Sequence, residues 1–143
     1  MSGKIHAIDL FCGAGGLTSG LTSAGVKVIA GIDADPLCKS TFESNHPNTE
    51  YFCEDVRNTR GSDLEKLWGD CEFRLLAGCA PCQPFSTFSL GRDLTRDSRW
   101  RLLDEFARLI ADTEPEFITM ENVPSVTKTD VFHDFLKQLN QRG

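Results

Sequence analysis

Five short apolar runs alternate with helical stripes along this chain, and that alternation restricts its fold more than any other feature. Val26–Ile32 is the clearest run. It is β-branched and nearly all apolar, as a strand covered on both faces must be. Lys4–Leu10 reads as a strand before it, apolar at Ile5, Ala7, Ile8 and Leu10 and followed by glycines. Glu50–Cys53, Phe73–Cys79 and Glu116–Met120 read as the third, fourth and fifth strands. Between them, Leu17, Leu21 and Ala24 fall at helical spacing, and Gly25 supplies a left-handed stop. Asp35-Pro36 starts a second helix, with Asp as N-cap and Pro in the first turn, running to about Asn45. Residues 61–68 suit a third, and Leu102, Leu103, Phe106, Leu109 and Ile110 stripe a fourth. Val131–Leu139 forms a last amphipathic segment. Strand-helix alternation with right-handed crossovers predicts an α/β fold with a doubly wound, mostly parallel sheet in the order 3-2-1-4-5. Segments 11–16, 33–35, 53–56, 80–86 and 121–123 then meet at the carboxyl edge of that sheet, where ligands bind in open α/β folds.

One of those segments is unusually stiff. Pro81 and Pro84 flank Cys82 directly after the fourth strand, and each proline pushes the residue before it away from helical angles. A thiol on such a turn is a candidate nucleophile. A lone cysteine is more often inert core, but the prolines, Gln83 and Ser86 favour the reactive reading. Residues 80–98 then show neither helical nor strand period, and so long a loop in a compact domain is usually functional. Cys79-Ala80-Pro81-Cys82 is also a C-x-x-C. Cys71 stands alone, and His6, His46 and His133 lack ligand spacing, which counts against zinc. A thioredoxin-like pair belongs at a helix start rather than after a fourth strand. Glu121 ends the neighbouring strand, so it can share one pocket with Cys82.

The first turn is glycine-rich: Phe11-Cys12-Gly13-Ala14-Gly15-Gly16. Gly13 and Gly15 fit a dinucleotide fingerprint, but Thr18 stands where its third glycine belongs. Asp33, 20 residues after Gly13, ends the second strand and suits the hydroxyls of a ribose. These residues alone leave NAD, FAD and another nucleoside cofactor open.

Pro81-Cys82-Gln83-Pro84-Phe85-Ser86 resembles the catalytic motif of the cytosine-5 DNA methyltransferases. Asp9-Leu10-Phe11-Cys12-Gly13-Ala14-Gly15-Gly16 resembles that family's cofactor loop, and Glu121-Asn122-Val123 its acid motif. The match covers nearly the whole chain but only the first half of the family pattern. The resemblance implies a Rossmann-like S-adenosylmethionine-dependent fold, incomplete at its C-terminus. It divides 1–143 into a cofactor half, 1–70, and a catalytic-loop half, 71–143, and omits a target-recognition region. It implies S-adenosylmethionine, released as S-adenosylhomocysteine, held by Phe11, Gly13, Gly15, Gly16, Asp33, Ala34, Asp55, Val56 and Pro81. Asp55 would accept from the adenine amino group. Ala34 departs from the pattern, which places a large residue there, and Phe11 would supply part of the stacking surface. Cys82 would add to carbon 6 of a flipped cytosine, with Glu121 assisting at N3. Gln83, Ser86, Arg92, Arg96, Arg99 and Asn122 would touch the substrate, the arginines through phosphates. No metal is implied. A tRNA cytosine-5 methyltransferase and a non-catalytic S-adenosylmethionine-binding subunit are the rival readings.

Charge and cysteine content bear on partners. The net charge of −6 disfavours a nucleic-acid face, while the arginines between 92 and 101 form a local basic island. The expected partners are double-stranded DNA and a second polypeptide carrying the missing motifs, or a homo-oligomer, and the chain alone is expected to be inactive. No apolar run approaches membrane-spanning length. Met1-Ser2-Gly3-Lys4-Ile5 lacks a signal-peptide core, and six cysteines then read as reduced thiols. A bacterial cytoplasmic or nucleoid-associated protein, not secreted, is expected.

Overall fold

A computed structural model describes residues 4–81 and 101–141 of the chain. Its strands are β1 (Ile5–Leu10), β2 (Lys27–Asp33), β3 (Glu50–Cys53), β4 (Phe73–Gly78) and β5 (Phe117–Met120). All pair in parallel, in the order β3-β2-β1-β4-β5, as the strand-helix alternation predicts. The helices are α1 (Gly16–Ser23), α2 (Lys39–Asn45), α3 (Gly61–Trp68), α4 (Arg101–Thr113) and α5 (Asp130–Asn140).

The side-chain alternation of β1 explains how both faces are covered. Ile8 and Leu10 pack in one core with Leu64 and Trp68 of α3, Phe106 and Leu109 of α4, and Phe135 of α5. Ala7 turns to the opposite face, where it packs with Val28, Leu75 and Leu21 of α1. Phe42 of α2 meets Cys12 and Tyr51 in a small cluster on that same side. Fully buried Phe106 lies under the end of β4: a Cβ at Gly78 would stand 3.3 Å from its ring. The core therefore reaches to the strand end that carries the cysteine turn.

Most boundaries shift by a residue or so from the sequence reading, and three of the differences concern the helix start after β2 and the ends of β4 and β5. Asp35 accepts from the Leu37 amide at 2.9 Å, which closes Pro36–Cys38 as a 3₁₀ turn and delays α2 to Lys39. The fourth strand ends at Gly78 rather than Cys79. The fifth begins at Phe117 because the Glu116 side chain is drawn to Arg74, whose backbone amide donates to Oε2 at 2.7 Å. Of the long loop expected over 80–98, residues 82–98 lie outside the described residues.

Arg74 joins the amino ends of β4 and β5. It meets Glu116 Oε1 at 2.9 Å and Glu65 Oε1 at 2.8 Å, and donates to the Thr113 and Glu114 carbonyls. The guanidinium holds the Glu116 carboxyl down from 4.5 to about 2. A depressed carboxyl stabilises the fold above its unfolded value, and that stability is lost as pH falls through the folded value. Both partners are partly solvated, so the pair contributes only ~1 kcal/mol. Glu116→Gln is expected to lower the unfolding free energy from urea titration at pH 7 by that amount and to converge on wild type as pH falls through about 2, the folded value of Glu116. A pH-independent difference would show that the loss is packing rather than charge.

Candidate active site

The carboxyl ends of β1, β2, β3 and β4 open onto one cleft. A pocket of about 250 Å³ there is lined by Phe11, Asp33, Ala34, Asp55, Val56 and Pro81, together with Arg57, Cys79 and Leu102. The first six are all residues that the resemblance assigns to a cofactor, brought together from four separated segments.

The glycine loop is built to expose backbone. Phe11, Gly13 and Gly15 all adopt positive φ, at 57°, 52° and 95°, angles that glycine takes at little cost. Gly15 also has no room for a side chain, because an added Cβ would overlap the His46 imidazole. His46 is buried beneath the loop, with Nε2 3.1 Å from the Gly15 carbonyl. The Gly13 amide donates to Asp33 Oδ2 at 2.8 Å, and the Asp35 amide donates to Oδ1 at 2.8 Å. Asp33 thus fixes the loop to the end of β2, and each of its oxygens keeps a further lone pair.

Thr18 has a physical role in place of the third fingerprint glycine. It is buried in the first turn of α1, and its hydroxyl donates to Asp9 Oδ2 at 2.6 Å. Asp9 is wholly buried, and burial pushes its carboxyl up to about 6. Its Oδ1 has no hydrogen-bond partner among the described residues. The sequence reading has Thr18 only as a missing glycine, Asp9 only as the first residue of the loop motif and His46 only as a histidine without ligand spacing. A polar residue at a position that normally wants close helix-strand packing was the available signal.

Asp55 accepts from the Arg57 backbone amide at 2.9 Å and from its Nε at 3.0 Å. This guanidinium holds its carboxyl below the usual carboxylate range. Asp55 is therefore an ionised acceptor, shared between the pocket and a cation that sequence reasoning missed. Arg57 stands two residues after Asp55, a spacing that a 3₁₀ turn over Val56–Asn58 converts into contact.

Glu121 follows β5 and is exposed. Its backbone amide donates to the Gly78 carbonyl at 3.0 Å, and its Oε2 accepts from the Cys79 thiol at 2.9 Å. Asn122, assigned to substrate from the resemblance, uses both ends of its amide on backbone: Nδ2 donates to the Ala80 carbonyl at 3.0 Å and Oδ1 accepts from the Val123 amide at 2.9 Å. Gly13, Gly15 and Gly16, also assigned to the cofactor from the resemblance, do not line the pocket; Gly16 begins α1. Cys82, Gln83, Ser86, Arg92, Arg96 and Arg99 lie outside the described residues. Among those described, no three His, Cys, Asp or Glu side chains are grouped to hold a metal ion. No described helix is long and apolar enough to cross a membrane.

Comparison with known proteins agrees with this arrangement. Residues 5–143 match the family model of the C-5 cytosine-specific DNA methylases. The chain is 43% identical over 139 residues to the Type II methylase M.HgiDII of Herpetosiphon aurantiacus, covering 95% of this chain and 38% of that protein. It is 33% identical over 134 residues to the Type II methyltransferase M.XorII of Xanthomonas oryzae, covering 92% of this chain and 31% of that protein. The chain thus spans about a third of the length of these curated relatives. Among solved structures, a protein described as a DNA modification methyltransferase encoded within an E. coli prophage superposes with a TM-score of 0.79 at 27% identity. That match covers 96% of this chain and 38% of the other. The S. pombe Dnmt2 methyltransferase shares the fold, with a TM-score of 0.75 at 22% identity over 96% of this chain and 42% of its own. A doubly wound sheet with a left-handed glycine loop and an acid beside the β4 turn, matched end to end by one family model, places this chain in the C-5 cytosine-specific DNA methylase family.

Proposed function

We propose that this chain carries the cofactor-binding and catalytic residues of an enzyme that methylates carbon 5 of cytosine in double-stranded DNA. The observation that carries the proposal is the convergence of Phe11, Asp33, Ala34, Asp55, Val56 and Pro81 on one pocket in a chain of this family. S-adenosylmethionine, when bound there, supplies an electrophilic methyl group. The residues suit it: Asp33 retains lone pairs for ribose hydroxyls, Asp55 is an ionised acceptor for an adenine amino group, and Phe11 and Val56 offer apolar surface. The left-handed loop needs no third glycine because this cofactor has no pyrophosphate to cradle.

Carbon 5 of cytosine is a poor nucleophile, and Cys82 is assigned to correct that by adding to carbon 6. Glu121 assists by protonating or hydrogen-bonding N3. Its exposure means that desolvation favouring a neutral carboxyl has to come from the base closing over it. A paired base cannot reach such a cleft and has to be flipped out. Arg92, Arg96 and Arg99 are assigned to phosphates, and Gln83 and Ser86 to the flipped nucleotide. We assign target recognition to sequence beyond this cofactor-and-catalysis unit, or to a second polypeptide, so the unit alone is expected to be silent on DNA. DNA is favoured over tRNA because M.HgiDII and M.XorII, among the curated relatives, are named as a Type II methylase and a Type II methyltransferase.

Labelled methyl transfer from S-adenosylmethionine to mixed-sequence duplex DNA by the complete protein, followed by nucleoside analysis, tests the reaction. It should yield 5-methylcytosine with DNA and none with tRNA; the reverse would move the substrate to RNA. The cofactor assignment has its own test. Asp33→Ala removes an acceptor from the loop and from the ribose together. It should weaken binding of S-adenosylhomocysteine in calorimetry by roughly 1–3 kcal/mol, as for a lost hydrogen bond to a charged group. Equal affinities, or preference for NAD, would contradict the assignment.

A further inference from the structure

Two thiols stand three residues apart after β4, and the proposed reaction uses only Cys82. Cys79 has a defined place of its own. Its Sγ donates to Oε2 of Glu121 at 2.9 Å, joining residues 42 positions apart in sequence. The backbones on both sides are held. The Cys79 amide donates to the Leu10 carbonyl at 3.2 Å, and the Glu121 amide donates to the Gly78 carbonyl at 3.0 Å. Asn122 Nδ2 ties the next turn to Ala80. The register of β4 and β5 therefore sets the thiol-carboxyl contact. Cys79 also lines the pocket that Phe11, Asp33 and Pro81 form, so one side chain touches both the cofactor cleft and the acid.

We propose that Cys79 is a positioning residue for Glu121, and that its thiol decides which carboxyl oxygen carries the acid proton. The proposal rests on the reading of Glu121 as the group that acts at cytosine N3. A thiol has one proton to donate. Directed at Oε2, it makes Oε2 the accepting oxygen of the neutral carboxyl. The acid proton then resides on Oε1, the oxygen left for the base. As the Cys82 sulfur bonds to carbon 6, the C5=C6 π pair shifts to C4=C5. The former C4=N3 π pair takes the proton from Oε1 and becomes the N3–H bond. Glu121 is left as a carboxylate with Oε2 still held. A thiol is a weaker donor than a hydroxyl, so it orients the carboxyl while stabilising the ionised form less than a serine would. That is the compromise an acid needs, since a strong donor there would hold the proton-depleted form. Without the donor this contact no longer distinguishes the two oxygens.

The test uses the complete protein and reads turnover, cofactor KM and an infrared signature. Cys79→Ala, and Cys79→Val at closer volume, should lower kcat up to about tenfold, the upper end of the scale of one ordinary hydrogen bond. The KM for S-adenosylmethionine should stay within about twofold, because the interaction acts on the reacting base and not on ground-state cofactor binding. Cys79→Ser should recover all but about threefold, since a shorter hydroxyl still donates. In a Glu121→Ala background, the Cys79 substitutions should cost nothing further, as for residues acting through one another. The Cys79 S–H stretch is isolated as the wild-type minus C79A difference band. It should move to higher frequency when Glu121 is replaced by alanine. Unchanged kcat in C79A and C79V, equal losses with and without Glu121, or an unmoved band would overturn the positioning role. A wild-type protein that makes no 5-methylcytosine would overturn the proposed function itself, and this inference with it.

Discussion

Cys82→Ala is expected to abolish methyl transfer, by roughly 10⁴–10⁶-fold, the range over which removal of a covalent nucleophile or its partners acts. The argument is chemical before it is structural. An aromatic carbon 5 has no electron pair to offer a sulfonium methyl until carbon 6 is saturated by a nucleophile. Among side-chain nucleophiles, cysteine needs the least activation near neutral pH for that addition. Two thiols stand at this turn, and the proposed reaction gives them different roles. Cys79 is bonded to Glu121 and shares the cofactor pocket. Cys82 follows directly on Pro81, which also lines that pocket. DNA containing 5-fluorocytosine resolves them, because a fluorine at carbon 5 cannot leave as a proton does and the adduct persists. Wild type and Cys79→Ala should both trap DNA as a denaturant-resistant complex, and Cys82→Ala should trap none. Trapping by Cys82→Ala with none by Cys79→Ala would exchange the two assignments.

Glu121→Gln should lower turnover by roughly 10²–10⁴-fold, the usual contribution of a positioned general acid. Glutamine keeps the volume and can still donate a hydrogen bond to N3, but it has no proton to transfer. Glu121→Ala should therefore be the slower of the two. Cofactor binding should hardly change, since Glu121 does not line the pocket that Asp33 and Asp55 share. The step affected is thiolate addition. Release of tritium from 5-tritiated cytosine in DNA reports that step without requiring methyl transfer. Both substitutions should slow tritium release in proportion to turnover. A loss below about threefold would mean that Glu121 is a strand-end acid with no part in the reaction.

The stability of the sheet and the chemistry at its edge are linked through Arg74 and Phe106. Arg74 ties the amino ends of β4 and β5 through Glu116, and Phe106 supports the carboxyl end of β4 from below. The two strands are thereby held in register along their length, with Leu75 opposite Phe117 and Gly78 opposite Met120. That register brings Cys79 and Glu121 to the same height.

The sequence by itself determined the elements, their order and the edge at which the site forms. Apolar β-branched runs can be buried only inside a sheet, and short runs separated by helical stripes can be joined only by right-handed crossovers. Those two constraints leave a few doubly wound strand orders, and β3-β2-β1-β4-β5 is one of them. The same local rules marked Phe11, Gly13, Gly15, Asp33, Asp55, Pro81 and Glu121 as strand-end residues. Their partners were decided elsewhere. Thr18 with Asp9, His46 under Gly15, Arg57 on Asp55 and Cys79 on Glu121 are products of packing. A hydrogen bond between residues 42 apart depends on strand register to within one residue, and a slip of one would turn every side chain to the other face. Periodicity reports which residues are buried; it carries no information about which polar groups meet once they are. Only the assembled sheet, with its strand ends at common height, sets those distances.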